Sequence, residues 1–330
     1  MLQLLFACVL LRGVTAKSGV AFAVRSKGTN APKWQDLFTN MDGDTYGFID
    51  TYDESCETPV YTEAYQCTHA SGLTWTSGRN HVARLIHQKE ALRKVKFKYW
   101  VFTDGDTFDM TCRGCANSLC CFNSIVQFLN DPMCQFALVT HLDPYPKLPV
   151  PATDSGVLVD CTDAMMNAFH REAVPVLLPY LGELEQSSWH ESQALLFRFF
   201  VYCLRGASLL LNGYWIGPAQ LHVTFPGGTN WEREQPVLQN YARDFHLPGL
   251  DVPSNHIDPG DCSGLGSRWL SRNGPEFKAA LNHSAVWVHS QRFWECHASL
   301  HPRFFAFMNN ASSAVSNSTN SNGTLRRVLF

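Results

Sequence analysis

Short apolar runs that end in polar residues recur in the first hundred residues of the chain. They comprise residues 19–24 before Arg25-Ser26-Lys27-Gly28, residues 46–49 before Asp50, and residues 97–102 before Thr103-Asp104-Gly105-Asp106. Nearly continuous apolar runs of this length are typical of parallel strands that are buried on both faces. We therefore predict three buried strands whose carboxyl ends are polar.

A helical pattern connects the second and third of these strands. Beyond Ser77-Gly78-Arg79-Asn80, apolar residues recur from Val82 to Leu92 at spacings that fit one helix face, which predicts a helix with Asn80 near its N-cap. Helices that alternate with strands indicate an α/β fold with a mostly parallel central sheet flanked by helices. Ligands bind such sheets at the carboxyl ends of the strands.

The later part of the chain predicts further strands and helices. Residues 157–160 read as a strand that ends at Asp160. Residues 162–180 and 191–211 have helical spacing, and Pro175 and Pro179 interrupt the first of these two stretches. We therefore expect the second half of the chain to add helices to the same sheet.

The first sixteen residues predict a targeting segment. An apolar run from Leu2 to Leu11 precedes the small residues Gly13-Val14-Thr15-Ala16, so we expect a cleaved signal peptide or a short signal-anchor. Twelve cysteines also favour an oxidising compartment. Glycosylation sequons begin at Asn282, Asn310, Asn317 and Asn322. Together these features predict the secretory pathway, in the Golgi lumen or its membrane, with secretion as the alternative.

Charge and missing motifs argue against several other classes of function. The 26 basic and 29 acidic residues are spread along the chain and give a net charge of −3, which offers no electrostatic surface for nucleic acid. Membrane association is expected only through the amino-terminal segment. The chain has no G-x-S-x-G elbow, no H-E-x-x-H, no P-loop and no G-x-G-x-x-G after a strand.

The motif that carries most chemistry is Asp104-Gly105-Asp106. Two carboxylates on a tight turn suit a hard divalent cation, and Gly105 leaves the space above the turn open. Such a cation can clamp a diphosphate and neutralise its charge. The same letters occur at Asp42-Gly43-Asp44, but that copy precedes a predicted strand, which favours a solvated turn. Only the second copy follows a core strand.

The order of these features resembles a known family. The apolar first strand, the Gly78-Arg79-Asn80 helix and the aromatic strand before Asp104 are similar to nucleotide-sugar glycosyltransferases of the GT-A type, over roughly residues 19–225. The resemblance implies a Rossmann-like GT-A catalytic domain over residues 17–308. Its donor half would span residues 17–135 and its acceptor half residues 136–308. Residues 309–330 are rich in Asn and Ser and predict a polar, disordered, glycosylated tail.

The same resemblance implies which side chains bind the metal. Asp104 and Asp106 would hold Mn²⁺ or Mg²⁺ against the diphosphate of a nucleotide sugar, and Asp109 would lie just outside the ligands. A late histidine often completes the metal site in such enzymes, and His222 occupies a suitable position. His256 and His289 are weaker alternatives, and a structural role is the competing interpretation for any of these histidines.

Donor binding is expected to involve further residues at the strand ends. Arg79 and Asn80 match the segment that lies beside the donor in the family. Arg25 and Asp50 end the strands nearest to the nucleotide.

Acceptor activation needs a base if the reaction inverts the sugar configuration, because the attacking hydroxyl must lose its proton. Glu191, in Ser188-Trp189-His190-Glu191, looks similar to the acidic residue that begins an acceptor-side helix in the family. Interaction with the helix dipole is an equally good explanation of a glutamate at this position. Asp163 and Asp160 are the reserve candidates.

The cysteines at 112, 115, 120 and 121 allow two interpretations. A C-x-x-C pair can be half of a zinc site, but no matching second half occurs in the sequence. Disulfides are the favoured interpretation in an oxidising compartment, and the pairing does not follow from spacing.

The resemblance therefore implies a metal-dependent glycosyltransferase that is similar to a hexosyltransferase. The expected partners are a nucleotide-sugar donor and a hydroxyl acceptor on a glycan or glycoprotein, with no nucleic acid. The alternative is a secreted, disulfide-stapled, lectin-like protein that binds carbohydrate without catalysis.

Overall fold

The apolar runs of the first hundred residues form the centre of a mixed sheet in a computed structural model of the protein. The structure describes residues 18–41, 44–56, 60–112, 114–141, 155–159, 166–185, 189–211, 214–215, 231–252, 270–271 and 275–310. The predicted targeting segment and most of the predicted tail lie outside these residues.

Twelve strands occur in the described part of the chain. They are β1 (Ser18–Ser26), β2 (Thr45–Thr51), β3 (Val60–Tyr61), β4 (Tyr65–His69), β5 (Lys96–Asp104), β6 (Thr111–Cys112), β7 (Leu138–His141), β8 (Ser155–Val159), β9 (Met166–His170), β10 (Ser208–Leu211), β11 (Tyr214–Trp215) and β12 (Leu270–Ser271). Strands β6 and β11 form a separate antiparallel pair, and the other ten form one sheet in the order β12-β8-β10-β7-β9-β5-β1-β2-β4-β3.

Strand directions confirm a mostly parallel α/β sheet. The neighbours β4, β2, β1 and β5 are all parallel, and β7 and β10 form a second parallel pair. Strand β9 lies between β5 and β7 and is antiparallel to both. Antiparallel pairing otherwise occurs towards the edges, where β3 pairs with β4 and β8 lies between β10 and β12. This arrangement is consistent with a Rossmann-like fold.

Helices flank the sheet within the described residues. They are α1 (Ala31–Asn40), α2 (Trp75–Arg93), α3 (Ser118–Asn130), α4 (Val174–Leu177), α5 (Trp189–Leu204), α6 (Trp231–Asp244), α7 (Pro275–Asn282) and α8 (Gln291–Asn310), with 3-10 turns at Gly28–Asn30, Thr107–Asp109 and Val286–His289. Of these, α8 includes the first two residues of the predicted tail. No helix of the described residues is both long and apolar enough to cross a bilayer.

The core forms two layers because both faces of the sheet are covered. Along β5, Trp100 and Phe102 pack into the layer that contains α2, α5 and α8. Tyr99 and Val101 point to the opposite layer, which contains α1, α3 and α7. Side chains alternate between the faces of a strand, so burial of both faces requires the continuous apolar run seen in the sequence.

The predicted N-cap of the second helix is wrong. Helix α2 starts at Trp75 and its N-cap is Thr74, whose side chain accepts a hydrogen bond from Ser77 N while Ser77 Oγ accepts one from Thr74 N. This reciprocal capping box satisfies two of the unpaired donors at the helix start. Asn80 therefore lies in the second turn of the helix.

The helical interpretation of residues 162–180 is confirmed only for Val174–Leu177 and is wrong for Met166–His170. Met166–His170 is strand β9, and Val174–Leu177 is a single helical turn. A short apolar segment can be a buried strand or a buried helix, and its neighbours decide. Here β5 and β7 supply hydrogen-bonding partners on both sides.

The predicted helix over residues 191–211 is confirmed only in part. Helix α5 ends at Leu204, and Ser208–Leu211 forms strand β10 between β7 and β8. Strand β8 confirms the predicted strand at 157–159, but Asp160 lies outside the described residues.

The structure contains cysteine pairs placed as disulfides, as the cysteine content predicts. Cys203 pairs with Cys296 and joins α5 to α8, at a sequence separation of 93 residues. Cys56 pairs with Cys67 at a separation of 11 residues. Cys115 pairs with Cys120 in the cysteine cluster.

We expect the long disulfide to contribute more stability than the short one. In the chain-entropy description, loops of these two lengths correspond to roughly 4–5 and roughly 3 kcal/mol. Double alanine variants, C203A/C296A and C56A/C67A, should therefore lower the free energy of unfolding unequally in guanidinium titrations. An equal or larger loss in C56A/C67A would contradict the expectation.

Candidate functional site

Three polar strand ends meet at the carboxyl edge of the sheet. Arg25, near the end of β1, is in register with Asp50 on β2 and with Asp104 on β5. The chain leaves β1 towards β2 on one side and later returns to β5 on the other side. The β1/β5 boundary is therefore a topological switch point, where open α/β sheets bind their ligands.

Asp104 forms an ion pair with a buried arginine. Arg79 Nη2 lies 2.6 Å from Asp104 Oδ1, and Trp75 Nε1 donates a hydrogen bond of 3.3 Å to the same oxygen. The guanidinium also lies 4.0 Å from the Trp75 ring and donates to Tyr180 Oη at 3.3 Å. The side chain of Arg79 is 3% exposed and that of Asp104 is 29% exposed. Burial lowers the pKa of Arg79, but Asp104 and Tyr180 raise it by more, so the net shift is upward and Arg79 is charged.

A second buried ion pair lies beside the first. Arg25 Nη1 donates to Asp50 Oδ2 at 3.1 Å, and Arg25 Nη2 donates to Leu73 O at 2.7 Å. Asp50 is fully buried, and burial raises its pKa to about 7 although Arg25 and Thr68 oppose the shift. His81 Nε2 lies 3.9 Å from Asp50 Oδ1, and burial lowers the pKa of His81 to about 4. Near neutral pH, His81 is therefore uncharged and Asp50 titrates.

Hydrogen bonds from three side chains to backbone carbonyl oxygens hold the turn after Asp104. Gly105 O accepts hydrogen bonds from Trp34 Nε1 at 2.9 Å and from Ser26 Oγ at 3.3 Å. Thr107 Oγ1 donates to Asp104 O at 2.8 Å. A Cβ atom at position 105 would lie within 2.5 Å of Ser26 Oγ. Only glycine fits this close approach, so the carboxylates of the motif are carried by a rigid turn.

Tyr52 belongs to this site, although the sequence did not single it out. It follows β2, is 38% exposed, and its ring centroid lies 5.6 Å from the Arg25 guanidinium. Burial and the charges of Asp53, Asp106 and Asp104 raise the pKa of Tyr52. Half-buried Asp106 therefore lies near the exposed ring of Tyr52. A tyrosine in a loop carries no motif, so only proximity reveals it.

The segment before α5 clamps the start of α2. Glu185 Oε1 accepts hydrogen bonds from Thr76 N and Ser77 N, at 3.0 and 3.3 Å. Asn80 Nδ2 donates to Tyr180 O, and Tyr180 N donates to Asn80 Oδ1. The amide of Asn80, predicted to lie beside the donor, is thus occupied by a backbone contact that fixes Arg79 in place.

Glu191 lies in the first turn of α5 and is fully buried. Its Oε1 lies 2.6 Å from Arg233 Nη2, and the neighbouring Arg198 Nε lies 3.2 Å from Glu234 Oε2. Glu234 is also fully buried, and burial raises its pKa. The role of Glu191 as a base stays a prediction, because the ion pair and the helix position also account for this residue.

Several predicted site residues lie outside the described residues. They are Asp163, His222, Asp160 and His256. Of the remaining alternatives, His289 ends a 3-10 helix and Asp109 ends another, and both are exposed.

The first copy of the D-x-D letters lies at the opposite edge of the sheet. Asp44 is exposed and directly precedes β2. Because β2 and β5 are parallel to β1, the start of β2 and the end of β5 are at opposite edges. Asp42 and Gly43 lie outside the described residues.

The cysteine cluster is a separate group with different ligand chemistry. The sulfur atoms of Cys112, Cys115 and Cys121 all lie within 4.8 Å of one another, an arrangement that could hold a metal. Thiolates favour soft or borderline metals, whereas the carboxylates of Asp104 and Asp106 favour Mg²⁺ or Mn²⁺. The group of possible ligands around these sulfur atoms contains no carboxylate, so we treat it as separate from Asp104 and Asp106.

Comparison with known proteins adds no family. No protein-family model matches the chain, and no curated protein sequence matches it.

Replacing Gly105 by alanine should destabilise the protein by about 1–3 kcal/mol, the usual cost of overpacking a buried position. The added methyl group would force Ser26 or the turn to move. The control is G182A, because a Cβ atom at exposed Gly182 meets only Glu185 Oε2, at 3.4 Å. Chemical unfolding of both variants measures the difference, and equal stabilities would contradict the close fit.

The raised pKa of Asp50 predicts how stability depends on pH. Its folded pKa of about 7 exceeds its ordinary value of 3.8, so the stability that Asp50 contributes is present below pH 4 and is lost as the pH rises through 7. The variant D50N does not lose this stability, because asparagine does not ionise. Between pH 4.5 and pH 8, its free energy of unfolding should therefore rise relative to wild type by at least about 1 kcal/mol, since one pKa unit corresponds to about 1.4 kcal/mol.

The exposed residue Asp53 supplies the control for this pH series. Asp53 accepts a hydrogen bond from Gly28 N, which lowers its pKa. Its contribution is therefore lost only as the pH falls below the ordinary carboxylate range. D53N should differ from wild type by a constant amount between pH 5 and pH 8. A constant difference for D50N as well would show that Asp50 is ionised throughout.

Proposed function

We infer that the protein is a metal-dependent glycosyltransferase that transfers a sugar from a nucleotide-sugar donor to a hydroxyl group of a glycan or protein. The observation that carries this proposal is the register of β1 and β5, which pairs Arg25 with Asp104 at the switch point. Two ion pairs lie at this point, Arg79 with Asp104 and Arg25 with Asp50. A nucleotide sugar carries a diphosphate, which requires positive charge and, in the GT-A type, a cation between it and the protein.

The possible metal ligands at this site suit Mn²⁺ or Mg²⁺. Asp104 and Asp106 offer hard carboxylate oxygens on a rigid turn, and neither side chain is fully buried. Both Arg79 and Trp75 donate to Oδ1 of Asp104, which holds that carboxylate in one orientation. Bound at these two residues, the cation would neutralise charge that develops on the leaving diphosphate.

The remaining residues have distinct roles in the proposal. Arg79 orients the Asp104 carboxylate, because Tyr180 and Trp75 hold its guanidinium in one position. Arg25 contributes positive charge next to the diphosphate. Tyr52 presents an exposed ring beside Arg25, where it can stack on a flat or apolar part of the donor. The buried carboxyl group of Asp50 accepts a hydrogen bond from Arg25 and so holds its guanidinium at this edge of the sheet.

The acceptor half of the proposal rests on fewer described residues. Glu191 or Asp163 would accept the proton from the acceptor hydroxyl, and His222 would complete the cation site. Cysteine pairs placed as disulfides support a compartment such as the Golgi lumen.

Nucleoside diphosphates test the proposed donor site directly. In thermal unfolding of the full chain, one of ADP, CDP, GDP or UDP should raise the midpoint only in the presence of Mn²⁺ or Mg²⁺, since a ligand that binds only the folded state stabilises it. A screen of nucleotide sugars for metal-dependent hydrolysis then identifies the donor. A midpoint that responds to free sugars but to no nucleotide would indicate the lectin-like alternative.

Variants of the two D-x-D copies provide matched controls. D106N should abolish the metal-dependent shift and the hydrolysis, whereas D44N, at the opposite edge of the sheet, should retain both. D104N should also abolish them, but it leaves the buried charge of Arg79 without its carboxylate. Its unfolding without ligand must therefore be measured first. Unchanged activity in D106N and in a folded D104N variant would exclude the proposed mechanism.

A further inference from the structure

Four cysteines lie in ten residues directly after the candidate donor site. Cys112 ends strand β6, and Cys120 and Cys121 lie in the first turn of helix α3. Cys115 lies between these elements and pairs with Cys120. The cluster is separate from the carboxylate site, so its chemistry is a separate question.

Local backbone structure brings these sulfur atoms together. Cys115 N donates to Cys112 O at 3.2 Å, and Gly114 between them has a φ of +83°, which is the conformation that a tight turn with glycine at its third position requires. Asn117 then caps α3, because its side chain accepts a hydrogen bond from Cys120 N at 3.0 Å. The tight turn and the helix start therefore face each other across the cluster.

The sulfur positions divide the cluster into two adjacent pairs. Cys112 and Cys121 are buried thiols whose side chains are in hydrogen-bond contact. Cys115 and Cys120, bonded to each other, are only half-buried. The sulfur of Cys115 lies within 4.8 Å of both buried thiols.

We propose that Cys112 and Cys121 form a second disulfide beside Cys115–Cys120, so that β6 and the turn after it are joined to α3 by two adjacent cross-links. The thiolate of one cysteine attacks a disulfide of a small molecule or a protein oxidant, forms a mixed disulfide and releases one thiol. The second thiolate attacks this mixed disulfide and releases the other thiol. Two protein thiols thereby lose two protons and two electrons, and the oxidant disulfide is reduced to two thiols.

A disulfide between Cys112 and Cys121 fits the cluster better than a bound metal does. A metal held by Cys112, Cys115 and Cys121 needs a thiolate at Cys115, but that sulfur is bonded to Cys120. Two thiols left beside an existing disulfide could also attack it and exchange partners. A second disulfide removes both nucleophiles and leaves a single pairing. Burial and the contact with Cys112 raise the pKa of Cys121, so the bond should form during folding, before α3 packs.

The double cross-link would stabilise the turn that carries the aspartates. Phe122 of α3 packs against Trp34, with ring centroids 5.6 Å apart. Trp34 in turn holds the carbonyl oxygen of Gly105. The inference does not depend on the donor or on catalysis, since it concerns only the covalent state of the cluster.

Thiol alkylation with mass spectrometry tests the pairing. The full chain, produced through a eukaryotic secretory pathway, is denatured without reductant, treated with iodoacetamide and mapped by peptide fragmentation. Cys134 is the internal control: it is a buried thiol that contacts Tyr99 Oη at 3.5 Å and should be alkylated. Cys112 and Cys121 should remain unlabelled until reductant is added.

A double variant gives an unambiguous pairing. In C115S/C120S, the cluster retains only Cys112 and Cys121, and both should still be protected from alkylation. Alkylation of both residues in the wild-type chain overturns the proposal, as does a fragment that links Cys112 to Cys115. Stoichiometric zinc in the purified protein, with all four cysteines labelled after chelation, would also overturn it and would identify the cluster as a metal site.

Discussion

The ion pair between Arg79 and Asp104 is the interaction on which the rest of the carboxyl edge depends. A buried guanidinium needs a negative partner, and removal of one partner from a buried pair typically costs about 3–5 kcal/mol. Arg79 lies in α2 and Asp104 ends β5, so the pair sets the position of the helix relative to the strand. Tyr180 and Trp75 complete the surroundings of the guanidinium. Asp104 is therefore both a structural anchor and the first residue of the D-x-D motif.

This double role constrains the chemistry of the site. A cation bound at Asp104 would share the carboxylate with Arg79, and the arginine limits how far that carboxylate can rotate. The second pair, Arg25 with Asp50, has a charge that depends on pH because burial raises the pKa of Asp50 to about 7. The positive charge that this edge would offer to a diphosphate is thus largest when Asp50 is protonated and Arg25 is not neutralised.

Sequence reasoning was most successful where both faces of a strand are buried. The runs that end at Arg25, Asp50 and Asp104 were predicted as strands and are β1, β2 and β5. Sequence reasoning was less successful where a short apolar segment can form either a helix or a strand. Met166–His170 is a strand because β5 and β7 offer hydrogen bonds to it, and no local pattern carries that information. Thr74 displaced Asn80 as the helix cap because a reciprocal bond with Ser77 was available three residues later.

The sequence by itself determined the α/β class, the central strands and the position of the Asp104-Gly105-Asp106 turn, because hydrophobic periodicity and turn chemistry are local properties. Only the tertiary structure decided which charges meet. It paired Arg79 with Asp104 and Arg25 with Asp50, brought Tyr52 to the same edge, and occupied the Asn80 amide with the backbone of Tyr180. These contacts join residues far apart in the chain, and their strength depends on burial, which the order of amino acids does not reveal without the fold.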